Sequence, residues 1–274
     1  MRYLNRKEEI KVSSFLLDKI EEGFSVSGPE RWKDWNQGWG EVTHDYKETK
    51  CFSDLIPVFP TISPKDKYRN ILRDRGRFIE VEDSAKEYHD ASVFGRKENA
   101  FYEYVSPDWS WVDIGCGLFV NSMGLAREFK KINYIGLDWV DSVESLGKEI
   151  AKNTGENIYG IKFDMFHPHH ISLPKTFCVI TSGSMEQLGT NHSKILKWIL
   201  DIKPKIVIHF EPMYELYSNS VVDFTAKQYS KARNYLRGYL PALQGNNNIE
   251  IIKVERGVGC RYHEGETLVV WRPR

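Results

Sequence analysis

Trp111-Val112-Asp113-Ile114-Gly115-Cys116-Gly117-Leu118-Phe119-Val120-Asn121 is a short apolar run that ends in an acid, two glycines and a helix-like stretch. Val112 and Ile114 suit a buried strand. Gly115 and Gly117 let the backbone turn sharply and approach a ligand where a Cβ would collide. Ser122 to Phe129 then reads as a helix whose N-terminus faces that ligand. About twenty residues beyond the glycines, Tyr134-Ile135-Gly136-Leu137-Asp138 reads as a second strand ending in a carboxylate, the spacing at which an acid reaches a ribose. A nucleoside-containing cofactor is expected at this turn.

Downstream the elements alternate. Val140 to Asn153 is expected as a helix, Asn157 to Phe163 as a strand ending at Asp164, and Phe177 to Thr181 as a fourth strand. Asn191 to Asp201 is again helical and Lys205 to Phe210 a fifth strand, followed by a helix over Tyr229 to Leu240 stopped by Pro241. Ile249 to Glu255 and Thr267 to Trp271 close the chain as two strands separated only by the turn-rich Arg256 to Gly265. Alternating strands and helices imply a Rossmann-like, doubly wound, mostly parallel sheet of seven strands. The last two strands lack a helix between them, so they form an antiparallel hairpin at one edge.

Upstream the pattern changes. Ile10, Val12, Phe15, Leu16, Leu17 and Ile20 among charges predict an amphipathic helix ending near Gly23. Ser27 to Glu41, with Trp32, Trp35 and Trp39 among turn residues, is expected as an ordered aromatic loop that either anchors the N-terminus or walls an acceptor pocket. Three prolines make Pro57 to Pro64 a connector. Lys65 to Phe78 and Asp83 to Glu103 read as charged helices, the latter burying Tyr88, Phe94, Phe101 and Tyr104. Arg96 and Lys97 lie where a cation could meet a cofactor carboxylate, or form a solvated charge run. The domain expectation is a mainly helical N-terminal extension over 1–95, acting as lid or cap, and a catalytic domain over 96–274.

Composition narrows the partners. Lys plus Arg equals Asp plus Glu at 38 each, so no global positive field points to nucleic acid. Cys51, Cys116, Cys178 and Cys260 are far apart with no C-x-x-C pair, which suits a reduced, cytoplasmic setting. No stretch approaches the ~18 apolar residues of a membrane span. Oligomeric state is not encoded in any of these features.

G-x-G alone is common in loops, and Val120 stands where the dinucleotide fingerprint has its third glycine, which argues against NAD. The series Asp113, Gly115, Gly117, Asp138, Asp164 and a terminal hairpin resembles the class I S-adenosylmethionine (SAM)-dependent methyltransferases over roughly 95–274. That resemblance implies that Asp113 orients the turn and the methionine amino group. It implies that Gly115 and Gly117 pass close to the methionine and ribose, and that Asp138 accepts the ribose hydroxyls. Asp164 with Met165 and Phe166 would border the adenine, and Ser182 at the end of the fourth strand would stand between cofactor and acceptor.

Methyl transfer requires mainly that the nucleophile be positioned and its proton taken. His209, Glu211 and Glu186 are the candidate bases, all expected at the carboxyl edge of the sheet. His167-Pro168-His169-His170 lacks metal-ligand spacing, and no metal is expected. Ser182-Gly183-Ser184-Met185 does not match the pattern of amino-group methyltransferases, which disfavours a base amine. With the aromatic N-terminus this points to a hydroxyl on a small polar acceptor. The chain is similar to bacterial sugar O-methyltransferases, which makes a carbohydrate the expected partner. RNA or protein methylation, or a non-catalytic SAM-binding scaffold, are the alternatives.

Overall fold

The computed structural model describes residues 1–51, 55, 66–82, 85–120 and 132–274. The connector expected over Pro57–Pro64 and the helix expected over Ser122–Phe129 lie outside the described residues. Strand β1 (Arg2–Tyr3) leads into helix α1 (Arg6–Glu21), which starts at a capping box: Asn5 accepts the Lys7 and Glu8 N–H groups while Glu8 accepts the Asn5 N–H. Val12 and Leu16 are buried, which confirms the amphipathic reading.

Ser27 to Glu41 is not a loop. A single 3-10 turn at Pro29–Arg31 feeds helix α2 (Trp32–Thr49). Trp35, Trp39, Val42 and Tyr46 fall at helical spacing and pack on the main core. Gly38 and Gly40 had obscured that period. Of the helix expected over Lys65 to Phe78, the described residues 66–78 are likewise not helical: β2 (Ile71–Asp74) and β3 (Arg77–Glu80) form a hairpin closed by Arg75 and Gly76, both at positive φ of 48° and 84°. Its charges are misleading in sequence because Arg73 is fully buried. Its guanidinium donates to the Arg261 and Val222 carbonyls and the Thr225 hydroxyl.

Helix α3 (Ala85–Tyr104) crosses the expected domain boundary at 95/96. Phe101 is buried as expected, whereas Phe94 is exposed. The next strands are β4 (Ser110–Ile114), β5 (Tyr134–Asp138), β6 (Ile158–Lys162), β7 (Phe177–Ser182) and β8 (Val207–Glu211). Helices α4 (Val143–Thr154) and α5 (Ser193–Ile202) alternate with them. After β8 the expected helix over Tyr229–Leu240 is two, α6 (Val221–Ala232) and α7 (Tyr239–Gln244), broken where Asn234 and Gly238 take positive φ. Pro241 lies in the first turn of α7, where its missing N–H has no intrahelical acceptor to lose.

β9 (Ile249–Glu255) and β11 (Thr267–Pro273) form the antiparallel closing pair, and β10 (Val258–Gly259) between them pairs with β2. Two sheets result. The small one has order β1-β3-β2-β10 and joins the N-terminal segment to the turn-rich stretch near the C-terminus. The large one has order β6-β5-β4-β7-β8-β11-β9, parallel from β4 to β8 and antiparallel at β11, as the sequence implied. β5 and β6 lie on one side of β4, and β7 and β8 on the other. The order therefore reverses between β4 and β7, which opens a crevice at their carboxyl ends.

Candidate active site

A cavity of about 350 Å³ occupies that crevice. This is within the range of small-molecule sites. Its floor is the turn after β4. Gly115 and Gly117 have φ of 76° and 52°, and a Cβ on Gly115 would stand 2.2 Å from the Ser184 Cβ, so the turn and the loop after β7 can nest only because residue 115 has no side chain. Asp138, at the end of β5, fixes the turn from the other side. Its Oδ2 accepts the Gly117 N–H at 2.8 Å and its Oδ1 accepts the Val140 N–H at 3.3 Å. Burial raises the Asp138 pKa to about 6 against the pull of these donors.

Trp139, Phe163 and Met165 line the same end of the cavity. Asp164 does not. It turns away to accept the Phe166 N–H at 2.8 Å and to meet His167 Nδ1 at 2.9 Å, while Phe166 stacks on Trp139 behind the wall. The chain leaves β6 at Lys162 and turns over 163–166, and the Asp164 carboxylate folds back onto the Phe166 N–H within that turn. Asp113 is likewise off the wall. The Tyr134 hydroxyl donates to its Oδ2 at 2.5 Å within the core.

The opposite end is more polar. Ser182 is the last residue of β7 and Ser184, Glu186 and Gln187 follow it, His89, Asp90 and Lys97 come from α3, and Glu266 from the turn just before β11. Lys97 is buried and donates to Ser182 Oγ at 2.7 Å, with Glu266 3.6 Å away. Arg96, its neighbour, instead pairs with Glu255 at 2.8 Å. Trp35 and Trp39 close the cavity from above, Trp39 lying against Gly117.

The three candidate bases separate. Glu186 reaches the cavity. Burial raises its pKa, opposed by His263, a hydrogen bond from Tyr235 and Arg233. Glu211 and His209 are fully buried and do not line it. Glu211 Oε1 accepts the N–H groups of Ser184 and Met185 at 3.0 and 3.1 Å, and burial followed by repulsion from Glu186 pushes its carboxyl up to about 8. His209 is a core residue. Trp271 Nε1 can only donate, and does so to His209 Nε2 at 2.9 Å, so the ring proton sits on Nδ1 facing Thr181 Oγ1 at 2.9 Å. Burial drives the His209 pKa down to about 3 and keeps the imidazole neutral.

Sequence reasoning missed Trp139, Phe163, Gln187, His89, Asp90 and Glu266. Trp139 and Phe163 directly follow the carboxyl ends of β5 and β6, so their place at that edge was within reach of the sequence. The others arrive from segments whose approach only the fold determines.

No protein-family model matches the chain, and no curated protein matches it. Among solved structures it is similar to a SAM-dependent methyltransferase from Anabaena variabilis, at 13% identity over 92% of this chain and 98% of the other, with a TM-score of 0.54. It is also similar to the 16S rRNA methyltransferase RmtF in complex with S-adenosyl-L-homocysteine, at 9% identity over 88% and 76%, with a TM-score of 0.52. Against the [4+2]-cyclase SpnF the match covers 59% of each chain at 16% identity and a TM-score of 0.45. The chain has the Rossmann-like fold of the class I SAM-dependent methyltransferases.

Proposed function

We propose that this protein is a SAM-dependent methyltransferase that modifies a hydroxyl of a small polar acceptor, with carbohydrates the class to test first. The observation that carries this reading is the cavity itself. It joins the glycine turn and Asp138 at one end to Glu186 at the other, across the point where the strand order reverses.

The residues suit the cofactor. Asp138 can accept two ribose hydroxyls, Trp139, Phe163 and Met165 offer an apolar slot for a purine, and the Lys97 ammonium can face the methionyl carboxylate. Asp113 and Asp164 support the turn and the Met165 segment from behind rather than touching the ligand. SAM supplies a methyl group already activated on a sulfonium. What remains for the protein is to hold an acceptor oxygen in line with it and receive the hydroxyl proton.

Glu186 is the group we assign to that proton, because it alone of the three candidates opens on the cavity and its raised pKa brings it nearer neutral pH. Residues 1–95 act as a cap in this reading: Trp35 and Trp39 give the cavity a flat aromatic roof suited to a sugar ring. Incubation with methyl-labelled SAM and a panel of sugars and sugar-containing metabolites tests it. Label transfer that E186Q abolishes supports the reading. Transfer to RNA or protein alone would replace the acceptor class.

A further inference from the structure

Glu211 ends β8 outside the cavity, yet its carboxyl sits at the junction of the two loops that form the floor. Oε1 receives the N–H groups of both Ser184 and Met185, the two residues that immediately precede Glu186. Ser184 Oγ lies 2.8 Å from the Ile114 carbonyl and 3.3 Å from Glu211 Oε1, and its single proton serves the shorter contact. Ile114 is the residue before Gly115, and Gly115 is where any Cβ would strike Ser184. One carboxyl therefore holds a loop that is itself wedged against the glycine turn.

On the reading that this cavity holds SAM, we infer that Glu211 is a positioning residue. Its carboxyl sets the Ser184–Glu186 segment against Gly115, so that the shape of the cofactor turn and the placement of Glu186 depend on one another. Other groups also bear on Glu211: Glu186 across the loop, Thr181 from β7 beside it, and Tyr239 from α7, whose hydroxyl Glu211 pushes further up. His209, two residues back, is neutral and turned to Thr181, Tyr239 and Trp271. Among the described residues, Glu186 is the carboxyl that bears on Glu211. The raised pKa of Glu211 fits a neutral carboxyl that accepts N–H bonds without adding a second charge beside Glu186.

The test uses the 274-residue chain and S-adenosylhomocysteine (SAH), titrated calorimetrically into wild type, E211Q, E211A and S184A. E211Q keeps an amide oxygen for the Ser184 and Met185 N–H groups and is expected to bind within about threefold of wild type. E211A leaves both N–H groups without their acceptor and is expected to bind about tenfold more weakly, a loss that E211Q rescues. S184A cuts the Ile114 link while keeping the Cβ packing, and is expected to weaken binding several-fold even if E211A does not fold. Wild-type affinity in both E211A and S184A, or equal losses in E211Q and E211A, would overturn the inference. Failure of wild type itself to bind SAH would overturn the cofactor reading, and the inference with it.

Discussion

Asp138 and Gly117 clasp one another across the carboxyl edge of the sheet: the Asp138 carboxylate accepts the Gly117 N–H at 2.8 Å, twenty-one residues back along the chain. The acid that reads as a ribose acceptor thus also fixes the glycine turn. Its pKa is raised from 3.8 to about 6, so the folded protein holds this proton more readily than the unfolded chain. The intrinsic stability of the ligand-free fold therefore falls as pH rises through that window. Ribose hydroxyls donate to the ionised form, so SAH affinity is expected to rise over the same window and level off above it. D138N is expected to remove the pH dependence, measured by titration at several pH values.

E186Q tests the assigned proton acceptor. Turnover is expected to fall about a hundredfold or more, while SAH binding stays within about threefold, because the change removes a base and spares the cofactor end. Single-turnover rates alongside calorimetry separate the two effects.

His209 gives the opposite pattern. H209A leaves the Trp271 N–H and the Thr181 hydroxyl without their shared partner and opens a cavity in β8, at a cost of about 2–4 kcal/mol. SAH affinity per folded molecule is expected to stay unchanged. The wild-type ring, with its pKa lowered from 6.5 to about 3, binds fewer protons folded than unfolded. Its contribution is fully present above the unfolded value and is lost as pH falls toward the folded one. H209Q is expected to show a shallower loss of stability in acid, measured by denaturant unfolding.

Gly115 and Gly183 form a matched pair. Both have positive φ, 76° and 60°, but a Cβ on Gly183 would meet nothing within 4 Å while one on Gly115 would strike Ser184. G183A is expected to cost only the backbone strain, about 1 kcal/mol. G115A adds a steric displacement of the loop, and is expected to abolish SAH binding as well as to destabilise. Unfolding and titration of both variants check this.

These contrasts also mark where the sequence was informative. The parallel strands read clearly because buried apolar runs such as Trp111–Ile114 and Tyr134–Asp138 are local signals bounded by glycines and charges. The glycine turn and Asp138 read clearly for the same reason. Helix α2 did not, because Gly38 and Gly40 interrupt a tryptophan period that becomes visible only when Tyr46 is included. The β2–β3 hairpin resembled a charged helix because Arg73 finds its acceptors at Val222, Thr225 and Arg261, far along the chain. His209 read as a base because nothing near it in sequence announces Tyr239 and Trp271, which close over its Nε2. Lys97 was recognisable as a cation near the turn, but its partners Ser182 and Glu266 were not.

Lys97 yields one more expectation. If its ammonium faces the methionyl carboxylate, K97M is expected to weaken SAH binding about tenfold while weakening adenosine binding far less, because adenosine carries no carboxylate. Competition between the two ligands measures the difference.

The most direct measurement is calorimetric titration of SAM and SAH into the wild-type chain beside D138A. Micromolar binding of both ligands, weakened about a hundredfold in a D138A protein that remains folded, is the expected result. The absence of binding to either ligand by the folded wild-type chain would contradict the cofactor assignment and leave this protein with the fold alone.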